Sequence, residues 1–323
     1  MEPNTLRPRL PEAMGLLPVR ERWAQAKIAL RGEEDVPPSK FGLSSLAMLR
    51  PRIGIRLWRG RPWIERAVLL TNLFNHRQTP TELGWSVLRT QVEDFRGGDM
   101  TYDSHNGTDL SIPVGTTVTT AAPGQVVQVI SEFNRGGLKI FIDHGRGLMT
   151  CYAHLARALV EPGQVLERGQ PIAVSGYSGL DGFVTFPFGV PHVHFNTWLN
   201  GVPVDPFARE GEESLWRGGV PLPPDSAQGE RFEPSTYDAE AVHEVVAACK
   251  TESVRAKLEA VESPDQRAAL TVIEMNYYPT RFPAQPNVYG TAWDRAPRLD
   301  LPFLASAFDR AVFVDEPGGA TPS

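Results

Sequence analysis

Between Thr116 and Asn200 the chain is a succession of short runs in which apolar and polar positions alternate: Val118–Ala121, Gln125–Ile130, Leu138–Asp143, Leu148–His154, Pro171–Ser175 and His192–Leu199. Pro-Gly, Arg-Gly-Gly and His-Gly-Arg-Gly punctuation separates them. Period-two runs bounded by such turns predict strands, and the spacing leaves no room for crossover helices, so the sheet should be mainly antiparallel. The flanks read differently. Residues 16–30 place Leu17, Trp23, Ala26 and Ile28 at near-helical spacing behind Pro18, which predicts a short amphipathic helix. A charged, proline-rich linker, RGEEDVPPSK, follows. Ile53, Ile55 and Leu57 then alternate with Arg52, Arg56 and Trp58; Gly60-Arg61-Pro62 turns the chain and 63–70 returns, which predicts a β-hairpin. Residues 208–236 form a polar Gly/Pro-rich linker or irregular wrap. Asp238 can cap a helix carrying Val242, Val245, Val246 and Cys249, and Ser263-Pro264 reads as the start of another over 265–276. The proline- and aromatic-rich tail from Tyr277 ends in EPGGATPS, expected to be disordered. The expected organisation is an N-terminal extension over 1–95, a β domain over 96–207, and a linker with helices over 208–323. The expected fold is a mainly β, antiparallel core with a groove plus an α-helical C-terminal extension.

Composition narrows the chemistry. A chain of 323 residues buries a large core without staples, and its two cysteines, Cys151 and Cys249, build neither a disulfide framework nor a Cys-x-x-Cys zinc knuckle. Any metal must be held by His and carboxylates. The net charge of −6 gives no general attraction to nucleic acid or anionic membrane. The arginines at 50, 52, 56, 59, 61 and 66 read as a solvated strand face or as a docking patch for an anionic partner. The N-terminus MEPNTLRPRLPEAMG lacks the pattern of a secretory signal, and no apolar run is long enough to span a bilayer, which by sequence suggests a cytoplasmic location.

Seven histidines are present, and several fall in a suggestive order. His105-Asn106-Gly107-Thr108-Asp109 puts an imidazole and a carboxylate, two ligands suited to zinc, on a loop running into a strand. In His192-Val193-His194 the two imidazoles share one strand face about 6–7 Å apart, so that one can bind a metal while its neighbour stands near the ion. Strict alternation places Tyr152 and His154 on one face of their strand and Met149, Cys151 and Ala153 on the other, which makes Cys151 a core residue. His105, Asp109 and one of the His192/His194 pair supply the three protein ligands of a catalytic zinc site, leaving two imidazoles for proton transfer and oxyanion stabilisation.

The order of these elements resembles the M23 metallopeptidases, the lysostaphin/LytM-type peptidoglycan endopeptidases. The family's His-x-Gly-x-Asp element is similar to His105–Asp109, and Ile112-Pro113-Val114-Gly115-Thr116 is similar to its lead into a strand. Ile142-Asp143-His144-Gly145 and Tyr152-Ala153-His154-Leu155 resemble its central hairpin, the Pro162-Gly163-Gln164 and Arg168-Gly169-Gln170 turns its paired turns. His192-Val193-His194-Phe195 and Val204-Asp205-Pro206 resemble its closing motifs. The resemblance covers about a hundred residues. It implies one zinc per chain held by His105, Asp109 and His194, with His154 and His192 orienting and deprotonating the attacking water and stabilising the oxyanion. It gives His144 a structural place and assigns nothing to His76 or His243. It implies a zinc metalloendopeptidase acting on peptidoglycan peptides, which would place it in the cell envelope or outside the cell. A non-catalytic binding or regulatory module, such as an amidase activator, and a peptidase of a non-wall peptide stand as alternatives. The segment 180–190, with Phe183, Phe186 and Phe188, is either a lid or groove wall, or an apolar loop packed on its neighbour.

Overall fold

The computed structural model describes residues 7–80, 84–225 and 230–316. Three short helices, α1 (Leu10–Ala13), α2 (Val19–Arg31) and α3 (Pro51–Trp58), lead into β1 (Ala67–Asn72). The central run forms β2 (Thr108–Ser111), β3 (Thr117–Thr119), β4 (Gly124–Glu132), β5 (Gly137–Asp143), β6 (Leu148–Ala158), β7 (Val165–Leu166) and β8 (Pro171–Ser175). A short helix α4 (Leu180–Thr185), β9 (His192–Leu199) and β10 (Val202–Pro203) follow, then α5 (Ala239–Ala248), α6 (Glu252–Glu259), α7 (Pro264–Tyr277) and β11 (Arg310–Phe313). The strands make one sheet in the order β11-β1-β2-β9-β6-β5-β4-β7, with β10 beside β9 and the β3/β8 pair attached to β6. All its pairings are antiparallel except β1 with β11, which run parallel. The fold is the mainly β architecture expected, with helices added.

Both faces of the sheet are covered, and β6 shows why. Its Tyr152 and Leu155 enter one core with Val193 and Phe195 of β9, closed from outside by Trp216 and Phe303. Met149, Cys151 and Ala153 enter the other with Phe141 and Trp198, closed by Val242, Val245 and Val246 of α5 and Val272 and Ile273 of α7. Each fully buried side chain of this size stabilises by roughly 1.5–3 kcal/mol, so neither layer is dispensable. The C-terminal helices dock as their caps dictate. Asp238 accepts from the amides of Glu240 and Ala241 at 3.0 Å each, and Ser263 accepts from Gln266 at 3.3 Å with Pro264 in the first turn. Helix α6, which buries Val254 and Leu258 at i, i+4, falls within the helical stretch expected over 238–276, though its own start was not assigned, and β11 in the proline-rich tail was not foreseen.

The N-terminal hairpin is corrected. Residues 51–58 form a helix with Pro51 in its first turn, and the buried Ile53, Gly54, Leu57 and Trp58 lie on one helical face. Five residues of alternation also satisfy i, i+4 spacing, and helix packing decided between them. Only the end of the predicted return strand forms β1, and it pairs with β2 and β11. Helix α2 exists, but it buries Ala26 and Ala29 and leaves Leu17 and Trp23 exposed. The arginines at 50–66 therefore do not share a strand face: Arg56 donates to the Pro62 carbonyl, and Arg66 ties the start of β1 to Asp309 and the carbonyls of Ala305 and Ser306. Of the expected linker or wrap over 208–236, the described residues 208–225 and 230–236 are an irregular wrap, with Leu215 and Trp216 sunk into the core, and 226–229 lie outside the described residues. Of the tail expected to be disordered, 317–323 lie outside the described residues.

His144 has the structural place expected. Its Nδ1 donates to the Pro123 carbonyl at 2.9 Å, so Nε2 accepts from Thr150 Oγ1 at 2.7 Å. Burial, the largest influence, lowers its pKa from 6.5 to about 3. The unfolded chain takes up this proton near pH 6.5 while the folded one refuses it until about pH 3, so the group destabilises progressively on acidification. Its contribution between pH 6 and 4 is about 1.4 kcal/mol per pH unit. Urea titrations across that range are expected to show a slope shallower by about one proton in His144→Asn than in the wild type.

Candidate metal centre

Strands β2 and β9 pair with Asp109 opposite His194 and Ser111 opposite His192, which brings a carboxylate and two imidazoles to one sheet face. His105 arrives from the turn before β2. That turn lies so close to β9 that a Cβ on Gly107 would stand 2.8 Å from the Phe195 carbonyl and 2.9 Å from the His194 ring. Three atoms converge: Asp109 Oδ1 lies 3.1 Å from His105 Nε2 and 2.8 Å from His194 Nδ1, and these two nitrogens are 3.1 Å apart. His192 Nε2 stands back at 3.4 Å from the same oxygen. His105 and Asp109 are essentially inaccessible, at 0% and 1% exposure.

The tautomers say what this cluster is for. His105, His154 and His192 each donate Nδ1–H to a backbone carbonyl, of Leu73 at 2.6 Å, Ser178 at 2.8 Å and Val190 at 2.7 Å respectively. In the neutral rings all three Nε2 atoms are therefore bare electron pairs. His105 Nε2 and Asp109 Oδ1 then face each other as two acceptors, and a single proton can satisfy only one contact of the triangle at a time. A cation at the centre satisfies all three. Ligands of one zinc at about 2.0–2.2 Å sit about 3.3 Å apart in tetrahedral geometry, a few tenths of an ångström wider than here, so the donor set fits that ion with only small side-chain shifts. Its charge state suits the role. Burial raises the Asp109 pKa, but the neighbouring His192 and His105 and the hydrogen bond from His194 outweigh it and hold the carboxyl well below its usual range. Burial lowers His194 to about 4 despite Asp109, and burial together with His192 holds His154 well below the ordinary imidazole value. Both rings are neutral near pH 7.

His154 reaches the cluster by a route that alternation misjudges. Along the β5/β6 ladder Ile140 pairs with Tyr152 and Leu138 with Leu155, so β6 carries one extra residue there. His154 occupies it at φ +61°, its amide donating to the Gly136 carbonyl at 2.8 Å. Strict period two would leave His154 with Tyr152 in the core that holds Phe195. The bulge turns it to the opposite face, where its ring lies 4.8 Å from His192 and 6.2 Å from His194. Cys151 and Tyr152 point where alternation put them, and only the shared face of Tyr152 and His154 is wrong.

Other groups hold the cluster in place. Asn72 of β1 donates to Asp109 Oδ2 at 2.7 Å, and the next residue, Leu73, supplies the carbonyl that orients His105. Tyr102 packs 4.4 Å from the His105 ring, and Tyr177 packs 5.3 Å from His154 and 5.0 Å from His192. None of these was foreseen: the Asn72 and Leu73 contacts depend on the register of β1 against β2, and the tyrosine contacts on how the loops before β2 and after β8 fold back on the cluster, none of which composition encodes. His76 pairs with Asp205 at 2.8 Å and His243 is exposed on α5, both away from the cluster. The 180–190 segment is both of the things weighed: Leu180 and Asp181 line the cavity beside His154 and His194, while Phe186 packs edge-on against Trp58 at 5.1 Å. That cavity measures ≈ 60 Å³ and is walled further by Val36 and Pro37 and by Tyr277 and Tyr278.

The family model for peptidase family M23 matches residues 103–206. That match covers about a third of the chain. It is 41% identical over 101 residues to the peptidoglycan DD-endopeptidase ShyA of Vibrio cholerae, covering 31% of this chain and 22% of that protein. Identity is 35% over 102 residues to an uncharacterized metalloprotease of Haemophilus influenzae, covering 32% and 20%. The chain thus spans about a fifth of the length of these relatives. Among solved structures it is similar to a zinc containing peptidase from Vibrio cholerae, at 29% identity over 45% of this chain and 39% of that one with a TM-score of 0.32. The M23 family are zinc metallopeptidases, and the donor chemistry of the M23 segment is of the matching kind. Among the described residues, no helix is long and apolar enough to cross a membrane.

If the cluster is built for a cation, zinc at a hundred times its dissociation constant should stabilise the chelator-treated protein by about 2.7 kcal/mol. Thermal melts with and without zinc should show that gain in the wild type and its loss in Asp109→Ala.

Proposed function

We propose that this protein is a zinc metalloendopeptidase that hydrolyses peptide cross-links of peptidoglycan, and that it acts in the cell envelope, where that substrate lies. The observation that carries this is the convergence of five side chains, three aimed at a single point and two standing beside it with bare Nε2 atoms. The M23 segment and its similarity to proteins named peptidoglycan DD-endopeptidases support the substrate class. In this reading His105, Asp109 and His194 hold one zinc. Zinc bound there would supply Lewis acidity, polarising the scissile carbonyl and lowering the pKa of a water towards about 7.

The remaining chemistry belongs to the chain. His154 and His192 are fixed by the carbonyls of Ser178 and Val190, so each ring presents Nε2 to the cavity without a rotamer search. One imidazole accepts the proton of the attacking water, and the pair returns a proton to the leaving amine nitrogen as the tetrahedral intermediate collapses. Burial keeps His154 unprotonated and able to accept. Asn72 holds the second oxygen of Asp109, so the first stays directed at the metal position. A space of ≈ 60 Å³ admits a few waters and no peptide, so turnover requires the covering Val36-Pro37 and Tyr277-Tyr278 walls to part.

Zinc-loaded wild type is expected to release muropeptides from purified sacculi, read by mass spectrometry, and to leave generic peptides uncut. His154→Ala and His192→Ala should each lower kcat/KM by about 10²–10⁴-fold while keeping zinc. His105→Ala and Asp109→Ala should lose both zinc and activity. Full digestion by the His154 and His192 variants would sink the catalytic assignment, and cutting of generic peptides alone would move the substrate away from the wall.

A further inference from the structure

Arg135 sits at the tip of the β4/β5 hairpin, and the turn fixes its backbone: its amide donates to the Glu132 carbonyl at 3.1 Å and its own carbonyl accepts from Lys139 at 2.9 Å. Its guanidinium is held by aromatic faces, 4.7 Å from the centroid of Trp85, 5.6 Å from Tyr277 and 5.5 Å from Tyr278. Among the described residues, no carboxylate forms an ion pair with it. The nearest candidate, Glu132, is committed to Lys139 at 2.6 Å and to the Tyr278 hydroxyl at 3.1 Å. Asp181, across the same cavity, makes no bond to it either. Burial draws the Arg135 pKa below its ordinary value, with Tyr278, Tyr277 and Glu132 only partly compensating. A desolvated guanidinium resting on π faces keeps all five N–H donors for an anion, and the planar fork matches a carboxylate.

Its position gives that anion a context. Arg135 lines the ≈ 60 Å³ cavity shared with His154 and His194 and also an adjoining cavity of ≈ 270 Å³ that runs past Gln78, Thr79 and Ser104. A peptide extending from one cavity into the other passes the guanidinium next to the cluster. We propose that Arg135 is the anchor of a carboxylate subsite, and that the preferred substrate is a peptide carrying a free carboxylate close to the bond that is cut. This rests on the peptidase reading above and specifies which peptides it favours.

The test measures binding separately from cleavage. Chelator-treated full-length protein is titrated calorimetrically with a disaccharide-tetrapeptide containing diaminopimelate and with the same muropeptide fully amidated. The wild type should bind the free acid about 10–100-fold more tightly, the range expected for hydrogen bonds to a charged group. Arg135→Gln should reduce that preference to about two-fold or less, while Arg135→Lys, with the charge but not the fork, should keep part of it; thermal melts confirm that both variants fold. Equal affinities in the wild type, no binding of either ligand, or a preference that survives in Arg135→Gln each overturn the subsite. Zinc-loaded wild type incubated with a cross-linked muropeptide tests the other reading. A retained binding preference without cleavage overturns the endopeptidase assignment and leaves the subsite standing.

Discussion

The Asp109 carboxylate is buried to 1% exposure and still held in its charged form, and most of the surrounding architecture follows from that requirement. Taking an isolated carboxylate out of water costs several kcal/mol, so it survives only where opposing charge and donors are supplied at short range. Both oxygens are used: one by the His105 and His194 nitrogens, the other by Asn72. Those partners come from β1, from the turn before β2 and from β9, so β1, β2 and β9 must be adjacent, and the observed sheet order places them side by side. The residue that follows β1 orients His105, and β11 in turn backs β1. Thus a strand that precedes the 103–206 segment and one that follows it complete a cluster whose converging atoms all come from within it.

A second constraint is directional. An imidazole that is to accept a proton needs the right nitrogen bare and the right face of the strand, and backbone atoms fix both for the rings gathered here. Three carbonyls fix three tautomers, and one inserted residue at φ +61° turns His154 across the sheet. A non-glycine residue in that region carries strain of order 1 kcal/mol, sustained here by its amide bond to Gly136 and by ring contacts with His192 and Tyr177. Strained backbone beneath a functional side chain is expected where geometry outweighs local stability.

What the sequence made legible were features with local causes. Alternation and glycine turns gave the central strands, Asp238 and Ser263 gave two helix starts, and the strand parity of His192 and His194 gave their common face. Features set by pairing partners were not legible. Ile53 and Leu57 fit a strand or a helix equally well in five residues, and packing beneath the 188–189 backbone chose the helix. The bulge at His154 depends on how β5 aligns with β6, so parity failed at the one position where function needed it broken. The Asn72 contact required knowing that β1 lies against β2.

The same division bears on what this chain shares with the relatives it resembles over 103–206. The converging His and Asp atoms and the two imidazoles beside them lie within 103–206, the part shared with the relatives. The cavity walls largely do not. Val36, Pro37 and Trp85 precede it, and Asn276, Tyr277 and Tyr278 belong to the C-terminal helical layer that covers the His-bearing face of the sheet. Arg135 lies inside the shared segment but is posed by Trp85, Tyr277 and Tyr278, which are outside it. An arginine at this hairpin tip without those three rings would extend into solvent, where an exposed ion pair contributes little. The walls around the cluster are therefore a property of the flanks acting on the shared core, and similarity over a fifth of a relative's length says nothing of those walls.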